Sequence, residues 1–346
     1  ESASVLSATI GNMSAIRLGT RASTLATTQS EMVAGLLRSE GLDVNLTTIT
    51  THGDTSTASL AAMGGIGVFA SAIRAALLEG EADIAVHSFK DLPTGRPLGL
   101  AIGAVPARAD PRDALVARDG LTLHDLPQEA SVGTGSPRRA AQLLAVRPDL
   151  TIVDIRGNVD TRLGRVKGLG HYAKGGGKED LDAVVLAASG LARLGHSGTV
   201  TEFLDPSVVL PAPAQGALAV ECRTADSRHG KLAKALARID DRRTRLAATA
   251  ERAVLSHLEA GCAAPIGALA QLKPVSGSSP QVLTLDVVVA TVDGSRIIRE
   301  QVSVELPAEV DSALAAAHTL GVTAAEELLD DGAADVADLK ASGSTR

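Results

Sequence analysis

The sequence predicts an α/β protein of two lobes joined by a hinge, followed by a small C-terminal α+β domain. Three observations predict it. Short apolar, β-branched runs alternate with amphipathic helical stretches through the first two thirds of the chain, as helix-covered, mostly parallel sheets require. Two proline-containing crossings, at residues 106–112 (PARADPR) and 210–216 (LPAPAQG), cannot be helix or central strand. They imply that the chain leaves the first lobe and later returns to it. The last third changes character, to one long helix, a hairpin and a closing helix.

Composition sets the outer bounds. At 346 residues the chain is too long for one ordinary core. A net charge of −7 and only one Tyr, three Phe and no Trp argue against a nucleic-acid partner, which needs basic surface and stacking platforms. Two cysteines, Cys222 and Cys262, make neither a disulfide framework nor a four-thiolate zinc site, and the histidines lack ligand spacing. No apolar run approaches a membrane span and no secretory signal is evident. A cytoplasmic protein with no metal and no membrane partner is expected.

Residues 1–13 are small, polar and aperiodic, and read as a flexible leader. A strand over 15–19 leads through Arg21 and Ser23 to a helix over 24–39, with Leu25, Met32, Val33, Leu36 and Leu37 on one face and Gly41 as its stop. A strand over 45–51, a glycine-rich loop at 60–67 and a helix over 68–78 follow. The strand at 82–86 then ends abruptly in His87-Ser88-Phe89-Lys90-Asp91-Leu92-Pro93. Open α/β sheets place their chemistry outside the carboxyl ends of strands, and Lys90 beside Asp91 favours the ionised carboxylate. A lone Lys-Asp pair is more often a solvated turn; its position lowers those odds.

Beyond the first crossing, two units share one form. A strand at 131–133, a loop at 134–137 and a helix over 138–146 are followed by a strand at 151–155, a loop at 156–158 and a helix over 159–167. Arg138, Arg139, Arg156 and Arg162 lie at or near these helix starts, where cationic side chains are electrostatically misplaced unless an anion joins them. With Arg17 and Arg21 they are better explained by a polyanionic ligand than by surface decoration. The segment 168–180 (GLGHYAKGGGKED) reads as a mobile insertion, a lid or a tolerated surface loop. Strands at 182–187 and 217–222, a helix over 228–238, a long helix over 241–258, a hairpin of 283–292 and 295–304 around Asp293-Gly294, and a helix over 308–329 complete the chain. Three domains are expected: 14–107 with 215–237, 112–210, and 239–335. Cys262 sits in a glycine-flanked loop of the third, a setting that suits a reactive or modified thiol as well as a small hydrophobe.

Five segments in order, HSFKDLP (87–93), GTGSPRR (133–139), IRGNVDTRL (155–163), PAQGA (213–217) and EAGCAAPIG (259–267), resemble the hydroxymethylbilane synthase (porphobilinogen deaminase) family over nearly the whole chain. The resemblance implies two lobes like type II periplasmic binding proteins and a third, cofactor-bearing domain. It implies condensation of four porphobilinogen molecules with loss of ammonia, on a dipyrromethane cofactor held by a thioether to Cys262, then hydrolytic release of the linear tetrapyrrole. By motif, Asp91 is the catalytic carboxylate, able to stabilise the azafulvene cation that deamination produces. Lys90 contacts the cofactor. Arg17, Arg21, Arg138, Arg139, Arg156 and Arg162 neutralise the growing product's carboxylates, with Ser23, Ser136, Arg193 and Gln215 as further contacts. A monomer is expected. The sequence departs from the family at Ala62 and Ile66, where relatives often carry lysines; Lys174 and Lys178 of the longer 168–180 segment are candidates to compensate. Two other classes compete: a two-lobed solute-binding protein, which needs no Cys262, and a phosphate-binding transferase, for which no nucleotide fingerprint is present.

Overall fold

A computed structural model describes residues 15–49, 67–95, 97–260, 264–273 and 281–337. The first lobe is built on β1 (Ile16–Thr20), α1 (Thr24–Ser39), β2 (Val44–Thr48), α2 (Gly67–Leu78), β3 (Ile84–Ser88) and β4 (Leu100–Ala104). The second holds β5 (Asp113–Ala117), β6 (Ser131–Gly133), α3 (Pro137–Val146), β7 (Thr151–Val153), α4 (Val159–Leu163), β8 (Ala183–Ala187), α5 (Ala188–Arg193) and β9 (Glu202–Phe203). The chain then supplies β10 (Leu218–Arg223) and α6 (Gly230–Ile239) to the first lobe. It ends with α7 (Arg242–His257), β11 (Ile266–Leu272), β12 (Gln281–Ala290), β13 (Ile297–Leu306), α8 (Val310–Asp330) and α9 (Ala333–Val336).

Among the described residues the two lobes carry sheets of matching order, β2-β1-β3-β10-β4 and β7-β6-β8-β5-β9. Each has a parallel set and one strand antiparallel to its neighbours: β10 between β3 and β4, and β5 between β8 and β9. Both antiparallel strands are the ones entered directly from a crossing. The expected two-lobed α/β fold with a small third domain is therefore present. Apolar side chains fill both faces of each sheet; Leu18, Val33, Leu37 and Val220 pack one face in the first lobe, Leu115, Val132 and Leu143 one in the second. In the third domain α7 and α8 cover one face of the antiparallel sheet β11-β12-β13.

Register decides what reaches the cleft. In the first lobe Leu218 pairs with Ser88, so the second crossing lies beside the turn that follows β3, and Phe89 N donates to Ala217 O at 3.0 Å. In the second, Asp113 pairs with Ala187, which puts the first residue of β5 at the carboxyl end of β8. The crossings also bond to each other, Ala109 N to Gly216 O at 3.2 Å. Gly216 has φ +86, and a Cβ there would meet Ala109 O at 2.6 Å, so only glycine fits.

Three differences from the sequence reading have physical causes. β4, β5 and the two-residue β9 are short and partly alanine- or glycine-rich, with too little β-branched content to stand out. The helix expected over 159–167 ends at Leu163, where Gly164 caps it. Segment 168–180 is fastened, which corrects its reading as a mobile loop. Glu179 accepts from the N–H groups of Gly168 (2.8 Å) and Gly170 (3.1 Å), Lys167 N donates to Leu181 O, and Tyr172 meets the His196 ring edge-on. Both ends are tied near the start of β8, at the opposite end of the parallel strands from the loops after β6 and β7.

Glu251 of α7, fully buried, joins all three units. Its carboxylate takes both arms of Arg108 from the first crossing (2.6 and 3.0 Å), Ala214 N from the second (2.5 Å) and Ala270 N from β11 (2.8 Å). Breaking a buried pair strands its partner. Glu251→Leu should lose roughly 3–5 kcal/mol in chemical unfolding, and Arg108→Leu/Glu251→Leu less than the sum of the singles; additive losses would deny the coupling.

Candidate active site

The cleft is walled by loops at the carboxyl ends of parallel strands. Three of these loops open helices with a side-chain cap: Ser23 Oγ accepts from Ala26 N (3.3 Å), Ser136 Oγ from Arg139 N (3.4 Å) and Asn158 Oδ1 from Thr161 N (2.8 Å). Pro137 at the first turn of α3 adds its fixed φ. The caps hold Arg21, Arg138, Arg139, Arg156 and Arg162 near the cleft edge. From the first lobe, β3 runs into a 3-10 turn over Phe89–Asp91 that carries Lys90 half-buried and Asp91 exposed.

Gln215 lies where the lobes meet and is wholly buried. Its Nε2 donates to Pro111 O (2.7 Å) and Asp113 Oδ1 (2.9 Å). Its Oε1 accepts from Lys90 Nζ of the first lobe (3.3 Å) and Arg139 Nη2 of the second (3.4 Å). Asp113 also takes Arg138 Nη1 (2.7 Å) and Arg139 Nε (2.9 Å). Burial alone would push this carboxyl up; the two guanidiniums outweigh it and hold Asp113 well below the usual carboxylate range.

The cations around this carboxylate outnumber it. Desolvation draws the Lys90 ammonium down to about 8, against the pull of Asp91 and with Arg139 adding to the fall. Desolvation, then Arg139 and Arg156, lower Arg162. Arg162 Nε donates to Gly157 O (2.8 Å), and the exposed Arg156 reaches Asp154 (3.1 Å). Arg193 spans to Gly216 O through Nη2 (2.7 Å), while its Nε is buried with no hydrogen-bond partner among the described residues. The cationic donors Lys90, Arg139, Arg156, Arg162 and Arg193, with a buried Arg193 Nε, have the chemistry that a dipyrromethane bearing four carboxylates would need.

Two expected ligands are used otherwise. Arg17 lies near the amino end of β1, level with Asp83, and binds its carboxylate at 2.8 and 3.1 Å. The cleft lies at the other end of that strand, at Thr20, three residues on and about 10 Å away, so the structure removes Arg17 from the neutralising set. Alternation put an arginine at the right strand but the wrong end. Arg138, 4% exposed, is divided between Asp113 and Leu210 O (2.6 Å) and braces the hinge. Arg21, Ser23, Ser136, Arg139, Arg156, Arg162, Arg193, Lys90, Asp91 and Gln215 are brought to the cleft. Cys262, and Ala62 and Ile66 of the glycine-rich loop, lie outside the described residues.

Sequence reasoning missed Asp113, Arg108, Glu251 and Arg252. The signal available for two of them was Glu251-Arg252 set in an otherwise apolar run (AATAERAVL), a charged pair where the helix should pack.

A two-lobed α/β fold closing over a cationic cleft, with a third domain bolted to its hinge, defines an anion-handling protein of the binding-protein type. The family model described as "Porphobilinogen deaminase, dipyromethane cofactor binding domain" matches residues 16–231, and "Porphobilinogen deaminase, C-terminal domain" matches 245–330. The chain is 97% identical to a porphobilinogen deaminase of Cutibacterium acnes over 334 residues, 96% of this chain and 100% of that one. It is 52% identical to those of Micrococcus luteus (93% of this chain, 94% of the relative) and Leifsonia xyli subsp. xyli (94% and 95%). The chain belongs to the porphobilinogen deaminase family.

Lys90 gives the site a pH signature. Between about 8 and its unfolded value the unfolded chain binds the extra proton, so the burial cost of the ammonium is relieved as pH rises through that window. A bound carboxylate relieves the same cost at neutral pH. Calorimetric binding of a small polycarboxylate to the cofactor-free protein should weaken about tenfold from pH 7.5 to 9.5, and much less in Lys90→Arg. Equal weakening in both proteins would remove Lys90 from the site.

Proposed function

We propose that this chain is a hydroxymethylbilane synthase, which condenses four porphobilinogen molecules head to tail on a dipyrromethane primer and then hydrolyses off the linear tetrapyrrole. The observation that carries the reading is the convergence of Lys90, Gln215 and Arg139 across the hinge, beside the turn that exposes Asp91. When bound, the dipyrromethane supplies the free pyrrole carbon on which the product is built; its anchor in this reading is Cys262, four residues beyond Leu258, which caps α7.

The remaining roles belong to the chain. Each porphobilinogen brings an acetate and a propionate, so Arg21, Arg139, Arg156, Arg162, Arg193 and Lys90 hold carboxylates and fix the incoming ring. Ser23 and Ser136 accept a helix N–H through their oxygen and keep their own O–H for an anion. Asp91 stabilises the cation left when ammonia departs and orients the pyrrole N–H. It also moves the proton that ammonia takes and the one the joined ring gives up. Gln215 keeps Lys90 and Arg139 at one spacing. No described helix is long and apolar enough to cross a membrane. The same reading takes the protein as a cytoplasmic monomer, since one chain supplies both walls of the cleft.

Intact mass tests this directly. Wild type should carry an excess equal to two condensed pyrrole units, absent from Cys262→Ala, and Asp91→Ala should turn over porphobilinogen at least about 100-fold more slowly. Bare wild-type protein that gains neither mass nor activity on incubation with porphobilinogen would overturn the reading.

A further inference from the structure

The turn that exposes Asp91 is not held by its own lobe alone. Arg252, on α7 of the third domain, donates Nη1 to Phe89 O (2.9 Å) and Leu92 O (2.7 Å), and Nη2 to Pro93 O (2.8 Å). Its guanidinium carbon lies 4.5 Å from the centroid of the Phe89 ring. One planar cation thus closes over both ends of the Phe89–Asp91 turn and stacks on its first residue. Phe89 and Leu92 are themselves buried against Ala248, one turn earlier on α7, and Ala214 of the second crossing.

This geometry restricts motion at one place. Lys90 and Asp91 are the two residues of the turn whose side chains leave the packed cluster, and the carbonyls on either side of them are held by a group from another domain. Three carbonyls converging on one guanidinium require its fixed fork; an ammonium on a flexible stem cannot reproduce the three directions while stacking on a ring. Arg252 also follows Glu251, whose carboxylate ties the same helix turn to both crossings. The turn and the hinge are therefore referenced to adjacent residues of one helix, the helix whose capped end leads to Cys262.

We propose that Arg252 is a positioning residue for the reaction: it sets the place of the Asp91 carboxylate relative to helix α7 and keeps it there as the product lengthens. The inference rests on the assignment of Asp91 above. Arg252 touches neither substrate nor cofactor in this account, and acts through the turn.

The test compares wild type, Arg252→Gln and Arg252→Lys as purified, cofactor-loaded proteins, with loading counted by intact mass. Amide exchange over residues 87–95 should quicken in both variants, and kcat per loaded molecule should fall about 10- to 100-fold with KM within about twofold. Introduced into Asp91→Glu, whose carboxylate is already displaced, Arg252→Lys should cost less than about twofold more. If Arg252→Gln does not fold, Arg252→Lys, which keeps charge and stem, carries every comparison. Unchanged exchange over 87–95, an unchanged kcat per loaded molecule, or a full additive loss in Asp91→Glu would overturn the inference. Wild type that neither loads nor turns over would instead overturn the assignment of Asp91.

Discussion

One buried carboxylate allows this cleft to exist. Asp113 opens β5 at the point where the first crossing delivers it, and two guanidiniums and the Gln215 amide close on it. Without it, Arg138 and Arg139 would be desolvated cations beside a lysine that burial already disfavours, a cost of several kcal/mol per ion. With it, Arg138 becomes a brace, Arg139 is shared among Asp113, Val185 O and Gln215, and the balance of charge stays positive. The arrangement is permanent in its lower layer and incomplete in its upper one. That combination suits a site which must take in an anion whose charge grows, since the scaffold carboxylate is committed to its arginines and the surrounding charge remains positive.

The hinge is held by a second buried carboxylate with a different task. Glu251 satisfies Arg108, Ala214 and Ala270 together, so the two crossings and the third domain's sheet share one acceptor. Its neighbour Arg252 grips the turn that carries Asp91. Helix α7 thus acts as a common reference for hinge and turn. The two lobes meet at Gln215, which holds Lys90 (3.3 Å), Arg139 (3.4 Å) and Asp113 (2.9 Å), and at Arg193, which reaches Gly216 O (2.7 Å).

Much of this was legible in the sequence because the signals were local. Strand-to-loop transitions such as IAVHS into Phe89-Lys90-Asp91, capped helix starts such as Ser136-Pro137, and prolines at the crossings each carry their own physics. The order of domains followed from the crossings. What the sequence hid was set by register and long-range pairing. Nothing local to Arg17 reveals that Asp83 stands level with it on the next strand, or that the cleft opens at the strand's far end. Arg138 and Arg139 are adjacent, yet one turns toward Leu210 and the hinge while the other reaches Gln215; only the path of the second crossing separates their roles. The glycines of 168–180 suggested mobility. Gly177 instead packs on Gly164, backbone against backbone, where any side chain would collide.

The most direct test is a crystal structure of the protein carrying its cofactor and an incoming porphobilinogen. The account predicts that Asp113 keeps Arg138, that Arg162 and Arg156 leave Gly157 O and Asp154 for ligand carboxylates, and that Lys90, Arg139 and the Nε of Arg193 gain carboxylate partners, while Arg17 stays on Asp83. Carboxylates bound by Arg17, or a ligand that draws Arg138 off Asp113 and ignores the loops after β6 and β7, would contradict the division between a neutralised scaffold and an anion-seeking surface.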